Sequence, residues 1–547
     1  INLFGFIDST ALDLENASGE TVESDGTPVW EVELFAREMM NYEGAIVAQG
    51  DVFIDGTSHV RVLNQLQSNG VGAALRVVAE DITIGGPGFE QGGLIWFSKA
   101  IDLVASDTFT LNTGVEILVS DADSTLTIEA DFANILSALY AGGERIVGQP
   151  VNFDNPAPGA EIVLRIEESL LVDVFGALTA SEQIDIRIEG GVSRASMIVG
   201  AKRPFEVLNA HEGQYEIDIY SDRDILSAGD FLAPAEGSDI RVHALGGIEI
   251  GGQIFAHSEI VIEAGTFMED QAIVDPATEG NPKGFKLLEA VFEKDADGEL
   301  IRDADGNLVY NRGGFLDVDT GGVINLYSPS MIEISGLAGD MEKEAGNLSE
   351  MKSNARELNV ISDTIVSIAG MVNADEVVNI AAATIEVILQ GVVIGRGNEA
   401  EVNLLAQEMI YVDQSQERSE DRALVAATKY LNLVAPNIGI KGYAFTMAED
   451  SELNILADNS WNWQRNGFGV EIVPDSTWTS LPDDADEPVV QIEGGLTSPN
   501  RIDIVSGQVD FNIQDLLDQQ VDLKDANFVT DATGDVVVMG QATIVSE

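Results

Sequence analysis

INLYSPSMIEISG, residues 324–336, begins a series of similar segments in this chain. The series continues with LNVISDTIVSIAG from Leu358, VNIAAATIEVILQG from Val378, VNLLAQEMIYVDQ from Val402, LNLVAPNIGIKG from Leu431 and LNILAD from Leu453. In each full segment an asparagine separates two apolar residues, and a second apolar pair begins about 7 or 8 residues later. Because side chains alternate between the faces of a strand, Asn325 points away from Ile324 and Leu326. The pattern predicts two short strands joined by a tight corner, whose apolar face only neighbouring segments can bury.

The spacing of the asparagines sets the register between segments. Asn359, Asn379, Asn403, Asn432 and Asn454 follow one another at intervals of roughly 20 to 29 residues, which suits one coil of a solenoid with loops inserted at its corners. A leucine-rich repeat has a similar period, but its return segment is helical, whereas here the return segment reads as a second strand. The sequence therefore predicts an all-β chain that forms a parallel β-helix, or β-solenoid, with loop, hairpin and short helical insertions.

The same pattern divides the chain into four predicted parts. Residues 1–70 form an irregular N-terminal β segment that starts the solenoid, and residues 71–265 form a β-helix. Residues 266–322 are an insertion with a projecting β-hairpin, and residues 323–547 are again β-helix. This last part is predicted to carry a short helical insertion near 340–357 and a tryptophan-containing acidic loop near 461–488.

Two further segments lack strand alternation. Phe132 to Leu139 is apolar without alternation and predicts a short helix or a cap-like insertion. Gln414 to Ala427 begins with a run of charged residues and predicts a third insertion, also helical.

Composition limits the classes of partner and chemistry. The chain has 93 acidic and 28 basic residues and a net charge of −65, which disfavours nucleic acid and anionic membrane surfaces as partners. It contains no cysteine, so disulfides, zinc–thiolate sites and thiol catalysis are excluded. Hydrophobic residues make up 45% and aromatics only 6%, which favours a narrow aliphatic core. No apolar run is long enough for a transmembrane helix, so membrane insertion is not expected.

Two Asp-Ala-Asp-Gly turns are the only candidate metal site in the sequence. They contain Asp295, Asp297, Asp303 and Asp305. An EF-hand would need a glutamate at the twelfth position of its loop, where this chain has Ala304, so that motif does not fit. Hairpin turns and a weak Ca²⁺ site remain as the two interpretations, and calcium is the one cofactor that the residues suggest.

Three tryptophans near the end of the repeats have two interpretations. Trp461, Trp463 and Trp478 could form a platform on which sugar rings stack, or contact a protein partner. Trp461 also falls where other segments place their second apolar pair, which favours core packing or a lateral cap.

Parallel β-helices also occur in polysaccharide lyases and hydrolases, so catalysis is a possible function of this fold. Their sites align several acids with a basic residue on one face of successive coils. Asp185, Arg187, Asp218 and Arg241 are candidates by residue type, but in the sequence they show no repeating constellation. No catalytic residue and no enzymatic activity are therefore predicted.

LNVISDTIVSIAG, GGIEIGGQIFAHSEIVIEAG from Gly246 and LNLVAPNIGIKG resemble the repeats of filamentous-haemagglutinin-like large bacterial exoproteins and adhesins. The resemblance covers roughly residues 75–265 and 323–545 and rests on strand alternation with Gly, Ala and Asn corners. It implies a right-handed parallel β-helix and a structural or adhesive role in a secreted or cell-surface bacterial fibre, without catalytic residues. The alternative is a β-helix that binds or cleaves polysaccharide, as lyases, hydrolases and tailspikes do.

The ends of the sequence indicate one class of partner. Residues 1–6 and 542–545 read as strands without a polar or helical cap. Since terminal coils expose unpaired backbone groups, we expect neighbouring copies or further repeats of the same chain to stack end to end on them. Host or cell-surface glycans are the second class of partner expected.

Overall fold

The computed structural model describes most of the chain and divides it into two compact units. Residues Ile1–Gly246 with Phe255–His257 form the first unit, and Gly247–Ile254 with Ser258–Glu547 form the second. The description covers residues 2–3, 6–8, 32–41, 45–68, 70–86, 93–144, 151–173, 175–189, 197–199, 205–210, 213–265, 283–289, 291–292, 310–312, 314–338, 355–413, 423–458, 461–474, 488–509, 529–531, 535–538 and 543–546.

The described residues are all-β and include no helix. Up to Ala244 the strands are Asn2–Leu3, Phe6–Asp8, Val32–Asn41, Ala45–Ala48, Val52–Val62, Leu66–Ser68, Ala74–Ile84, Gly93–Phe97, Ala100–Leu111, Val115–Val119, Thr125–Ile135, Ala138–Ala141, Glu161–Val172, Ala177–Ala180, Gln183–Ile188, Met197–Val199, Phe205–Val207, Ile217–Ser221, Ile225–Ser227, Phe231–Ala233 and Asp239–Ala244.

The remaining strands show the same alternation of longer and shorter elements. They are Ile248–Ile250, Gln253–Ala256, Glu259–Ala264, Lys283–Leu287, Val291–Phe292, Tyr310–Arg312, Phe315–Val318, Gly322–Ser328, Met331–Ile334, Leu337–Ala338, Ala355–Ser362, Ile365–Ile368, Met371–Ala374, Val377–Val387, Val392–Gly395, Glu401–Val412, Leu424–Ala427, Tyr430–Val434, Asn437–Ile440, Tyr443–Thr446, Glu452–Ala457, Trp461–Asn466, Gly469–Pro474, Val489–Ile492, Gly495–Ser498, Arg501–Ser506, Gln508–Val509, Val529–Asp531, Asp535–Val538 and Thr543–Ser546.

Successive repeats pair in parallel and in register. In the second unit Val378 lies beside Val402, which lies beside Leu431, and the same holds for the asparagines next to them. The predicted two-strand unit is present, although its halves are joined in places into one long strand. Val377–Val387 and Glu401–Val412 are such strands, and their pairing shifts register once, between Ala382 and Thr384. That shift marks the predicted corner, and the arrangement is compatible with a β-solenoid.

Each repeat also contains a third strand that the sequence pattern did not reveal. Met371–Ala374, Val392–Gly395, Leu424–Ala427 and Tyr443–Thr446 pair with one another in order, in a second parallel sheet. These strands are only four residues long, so their apolar alternation is too short to stand out.

The glycine that closes several segments lies where neighbouring backbones approach most closely. A Cβ on Gly370 would lie 2.0 Å from the carbonyl oxygen of Gly336, and one on Gly494 would lie 1.9 Å from that of Gly442. No side chain fits at such a distance, so glycine is required at these corners.

The core predicted from the alternation is confirmed. Each of these side chains is at most 2% exposed: Leu358, Val360, Val366, Ile368, Val378, Ile380, Val402, Leu404, Leu431, Leu433, Ile438 and Ile440. Aliphatic residues at one register stack on one another in these repeats, whereas elsewhere a register is filled by aromatic rings, as where Phe205 stacks on Phe231.

One helix prediction was wrong, and a second was wrong over its last residues. Phe132 and its neighbours belong to strand Thr125–Ile135, where Ala133 and Ile135 are buried and Phe132 lies on the opposite, exposed face. The alternation was hidden because the outward position carries a large apolar residue. Leu424–Ala427, at the end of the third predicted insertion, is a strand in the second sheet.

The other predicted insertions lie partly outside the described residues. Residues 339–354 and 414–422 are not described, and Ala355 begins a strand that runs to Ser362. In the predicted hairpin of 266–322, Val291–Phe292 pairs antiparallel with Tyr310–Arg312, and the residues between these strands are not described. Lys283–Leu287 nearby pairs in parallel with Met331–Ile334, as the repeats do.

Parallel pairing already occurs in the first 70 residues. Val32–Asn41 pairs in register with Val52–Val62, and that strand pairs with Ala74–Ile84. Within the described ranges, no helix is long and apolar enough to cross a membrane.

The substitution Leu404→Asp tests the buried alternation. Leu404 is fully buried in the second unit, so a carboxylate there should lower the free energy of unfolding by about 4 kcal/mol or more. Leu389→Asp is the matched control, since Leu389 is 56% exposed and has a positive φ that aspartate tolerates. Urea unfolding of both variants measures the difference, and equal midpoints would contradict the core assignment.

Candidate functional site

An asparagine ladder runs along successive strands of the second unit. Its members are Asn325, Asn359, Asn379, Asn403, Asn432 and Asn454. The side-chain amide of each later asparagine donates a hydrogen bond to the Oδ1 of the preceding one, over distances of 2.8 to 3.0 Å. The first member, Asn325, donates instead to the carboxylate of Glu259 at 2.7 Å. The amides therefore all point the same way along the stack.

The asparagine ladder is largely buried, although it lies on the face of the sheet opposite the aliphatic core. Asn432 is 1% exposed and Asn403 is 6% exposed. An amide carries both donor and acceptor, so an identical residue in the next strand satisfies it, and aligned amides polarise one another. The ladder thus specifies register, because a shifted strand would leave buried amides unpaired.

An arginine–aspartate ladder occupies successive strands of the first unit. It consists of Arg165, Asp185, Arg187, Asp218 and Arg241. Arg165 binds Asp185 at 2.6 Å, and Arg187 binds Asp185 at 3.2 Å and Asp218 at 2.5 Å. Arg241 donates two hydrogen bonds to Asp218, at 2.9 Å from Nε and 2.6 Å from Nη2. The four residues that looked scattered in the sequence are therefore one continuous network, with Arg165 as an added member.

The register explains how these charges are neutralised. Asp185 lies beside Asp218 in the same column, and Arg165 lies beside Arg187 in the neighbouring column. Like charges would repel along each column. Arg241 neutralises Asp218 from within the same column, and Arg165 and Arg187 neutralise Asp185 and Asp218 from the neighbouring column. The sequence missed this because the pairing depends on register between residues 20 and 31 positions apart.

The electrostatics of the arginine–aspartate ladder favour stable charges over proton transfer. Burial raises the pKa of Asp218, but the hydrogen bonds and charges of Arg241 and Arg187 outweigh it and hold the pKa below its usual value. Burial lowers the pKa of Arg187, and its hydrogen bond and ion pairs with Asp218 and Asp185 more than compensate, so the pKa is raised. A carboxylate held ionised in this way is a poor general acid near neutral pH.

A tyrosine beside the arginine–aspartate ladder is also held in one protonation state. Tyr220 donates a 2.6 Å hydrogen bond to Asp222, and this bond raises the pKa of Tyr220 to about 12. Its ring contacts His243 edge to face, with centroids 5.2 Å apart. At neutral pH the Tyr220 phenol is therefore protonated and does not act as a base.

Two of the three candidate tryptophans lie together on an antiparallel hairpin, residues 461–474, which we call the lateral hairpin. Trp461 is 8% and Trp463 is 6% exposed, and both pack against the second unit's own sheet. Most of their surface is thus covered within the chain. Trp478 lies outside the described residues.

The predicted calcium ligands Asp295, Asp297, Asp303 and Asp305 also lie outside the described residues. In the part of the chain that is described, no group of three or more His, Asp or Glu side chains is arranged to hold a metal ion.

Comparison with known proteins gave no relative. No protein-family model, no curated protein and no solved structure matches this sequence.

The substitution Asn403→Ala tests the asparagine ladder. Asn403 donates to Asn379 and accepts from Asn432, so its removal breaks two buried hydrogen bonds and should cost about 2 kcal/mol of unfolding free energy. Glu408→Ala on the same strand is the control, because Glu408 is exposed and its loss should cost no more than about 0.5 kcal/mol. Denaturant unfolding measures the loss of unfolding free energy in both variants, and similar losses would show that the asparagine ladder does not stabilise the fold.

The substitution Asp218→Asn tests the arginine–aspartate ladder through pH. The pKa of Asp218 is depressed in the folded state, so its contribution is complete above its ordinary pKa of 3.8 and is lost as pH falls below that value. At pH 7 the variant should be about 3 kcal/mol less stable, because two arginines lose their shared partner. The difference in unfolding free energy between the parent and the variant should become smaller as pH falls below 3.8. A gap that stays constant from pH 7 to pH 2 would contradict the assignment.

Proposed function

We propose that this chain is a right-handed parallel β-helix that serves as a structural or adhesive segment of a secreted or cell-surface bacterial fibre or giant exoprotein, without catalysis. The observation that carries the proposal is the asparagine ladder, a buried, continuous hydrogen-bonded column that serves stacking and offers no reactive group. The resemblance to filamentous-haemagglutinin-like repeats supports the same role.

The charges of the chain suit an extended extracellular protein. A net charge of −65 favours solubility, and the absence of cysteine makes folding independent of redox conditions. The arginine–aspartate ladder supports a structural role as well, since its carboxylates are bound by arginines. Host or cell-surface glycans are the ligands proposed for the adhesive function.

The proposed partners are neighbouring copies or further repeats stacked end to end. Strand Asp535–Val538 pairs with Val489–Ile492, and Val536, Val537 and Val538 are all exposed. Ile544 and Val545, on the last described strand, which pairs with Gly495–Ser498 in the second sheet, are exposed too. Apolar residues exposed on both faces of a strand suit burial by one more coil, placed about 4.8 Å further along the stack. Calcium bound near Asp295 and Asp303 is proposed to reduce repulsion between acidic neighbours.

Light scattering across a concentration series tests the stacking. The average mass of the purified chain should rise with concentration and with added Ca²⁺, and a chelator should reverse the calcium effect. Val537→Lys should weaken association by about tenfold or more, since a desolvated charge would oppose burial. Val71→Lys is the control, because Val71 is 98% exposed in the first unit. A mass that is constant at all concentrations would refute the proposed partner.

A second candidate function is binding or cleavage of polysaccharide. The observation that favours it is the alignment of Asp185, Asp218 and their arginines on one face of successive strands, which is how β-helix lyases and hydrolases arrange their acids and bases. Three partly exposed guanidinium groups could also bind the carboxylates of acidic sugars.

Incubation with a panel of neutral and acidic polysaccharides distinguishes the two functions. Reducing ends and unsaturated products are measured for the parent chain and for Arg187→Ala. We expect no turnover. Sustained turnover in the parent that disappears in the variant would establish the enzyme and overturn the structural proposal.

A further inference from the structure

An outer apolar column runs along the second unit beside the asparagine ladder. It consists of Ile361, Ala381, Leu405, Val434 and Leu456, which are in register on successive strands. Each lies on the face of the sheet opposite the aliphatic core, yet each is at most 3% exposed. Five successive outward apolar residues would form a continuous exposed stripe if nothing covered them.

The lateral hairpin covers this column. Trp461 and Trp463 belong to the same cluster as the column residues, and Val470 of the second hairpin strand packs against it. Trp463 donates from its indole to the carbonyl of Ala382 at 3.3 Å, and Gln407 donates to the carbonyl of Trp463 at 3.3 Å. These contacts involve two successive strands of the stack, so the hairpin crosses the strands instead of pairing with them.

The tip of the lateral hairpin is held by a polar clamp. The Arg465 guanidinium stacks on the ring of Tyr327, with 3.4 Å between its central carbon and the ring centroid. It also binds Glu263 at 2.8 Å, 202 residues earlier in the chain. Tyr327 and Glu263 lie on strands that precede Ile361 in the stack. The hairpin therefore spans the column from Leu456 back to Tyr327, a distance of about 24 Å at the ordinary strand spacing.

The closed position of the lateral hairpin has a cost at its base. The Trp461 indole N–H is buried, and within the described residues no group accepts a hydrogen bond from it. Burying a donor without an acceptor opposes closure. The hairpin is a small two-stranded sheet, and such a sheet has little stability of its own. Its position therefore depends on the apolar column beneath it and on the clamp at its tip.

We propose that the lateral hairpin is a latched strap that opens and closes over the outer apolar column without unfolding the stack, and that Arg465, clamped between Tyr327 and Glu263, is the latch. In the closed state the strap holds several coils together and hides an apolar stripe. In the open state Trp461 regains solvent for its N–H, and the stripe becomes accessible. The stack itself is unaffected, because its strands are paired independently of the hairpin.

Hydrogen exchange and tryptophan quenching test the latch in the full chain. Arg465→Ala should speed exchange of the amides in residues 461–474 about tenfold, the effect of losing roughly 1.4 kcal/mol of clamp energy. Acrylamide should quench the tryptophan fluorescence more strongly, because Trp461 and Trp463 are uncovered. Amides in Glu401–Val412 should keep their parental protection, which also shows that the variant is folded.

Three variants separate the latch from general surface effects. Arg465→Lys keeps a positive charge for Glu263 but loses the planar stacking on Tyr327. Its hairpin amides should therefore exchange at a rate between those of the parent and of Arg465→Ala. Glu263→Gln removes the ion pair alone and should also give an intermediate rate. Arg356→Ala is the control, since Arg356 is a half-exposed arginine with an ion pair to Glu357, away from the hairpin. Equal exchange in Arg465→Ala and Arg356→Ala, or hairpin exchange only through unfolding of the stack, would overturn the proposal.

Discussion

Parallel pairing in register is the constraint on which each unit depends. It places the same position of every repeat beside its neighbours, at about 4.8 Å, so each residue must tolerate a similar residue on both sides. Aliphatic side chains meet this condition by packing, as the column through Val378, Val402 and Leu431 does. Asparagines meet it by hydrogen bonding to one another. Like charges at the same position of neighbouring strands repel one another, so they need oppositely charged residues close by.

The arginine–aspartate ladder shows how the first unit accommodates like charges in register. Asp185 and Asp218 are neighbours in one column, but Arg187 of the adjacent column lies between them. This arrangement binds both carboxylates, and it holds the pKa of Asp218 below its usual value. The same alignment that resembles a lyase site is thus also the arrangement that neutralises stacked charges. A polysaccharide-cleaving site needs a carboxylate that is available to substrate, whereas a structural ladder does not. A measurement of turnover therefore distinguishes the two functions.

The two faces of the sheet in the second unit carry different sets of side chains. The inner face is a close-packed aliphatic core, and the outer face holds the asparagine ladder and the apolar column. An outward apolar column is unusual unless something covers it. Here an element from the same chain covers it, fastened by one arginine at its tip. Rigidity thus comes from the strands, while the lateral hairpin is the element whose attachment rests on few interactions.

The repeat, the all-β class, the inward aliphatic positions and the shared register of the asparagines can be predicted from the sequence alone, because they depend on local alternation and on spacing. The sequence did not reveal the short third strand, and it suggested a helix at Phe132, since a few residues carry too little periodicity. Only the tertiary structure brought Asp185, Arg187, Asp218 and Arg241 together and placed Arg465 on Tyr327. The contacts of Arg187 and Arg241 with Asp218 and of Arg465 with Tyr327 join residues from 23 to more than 100 positions apart, and they depend on where each inserted loop returns the chain.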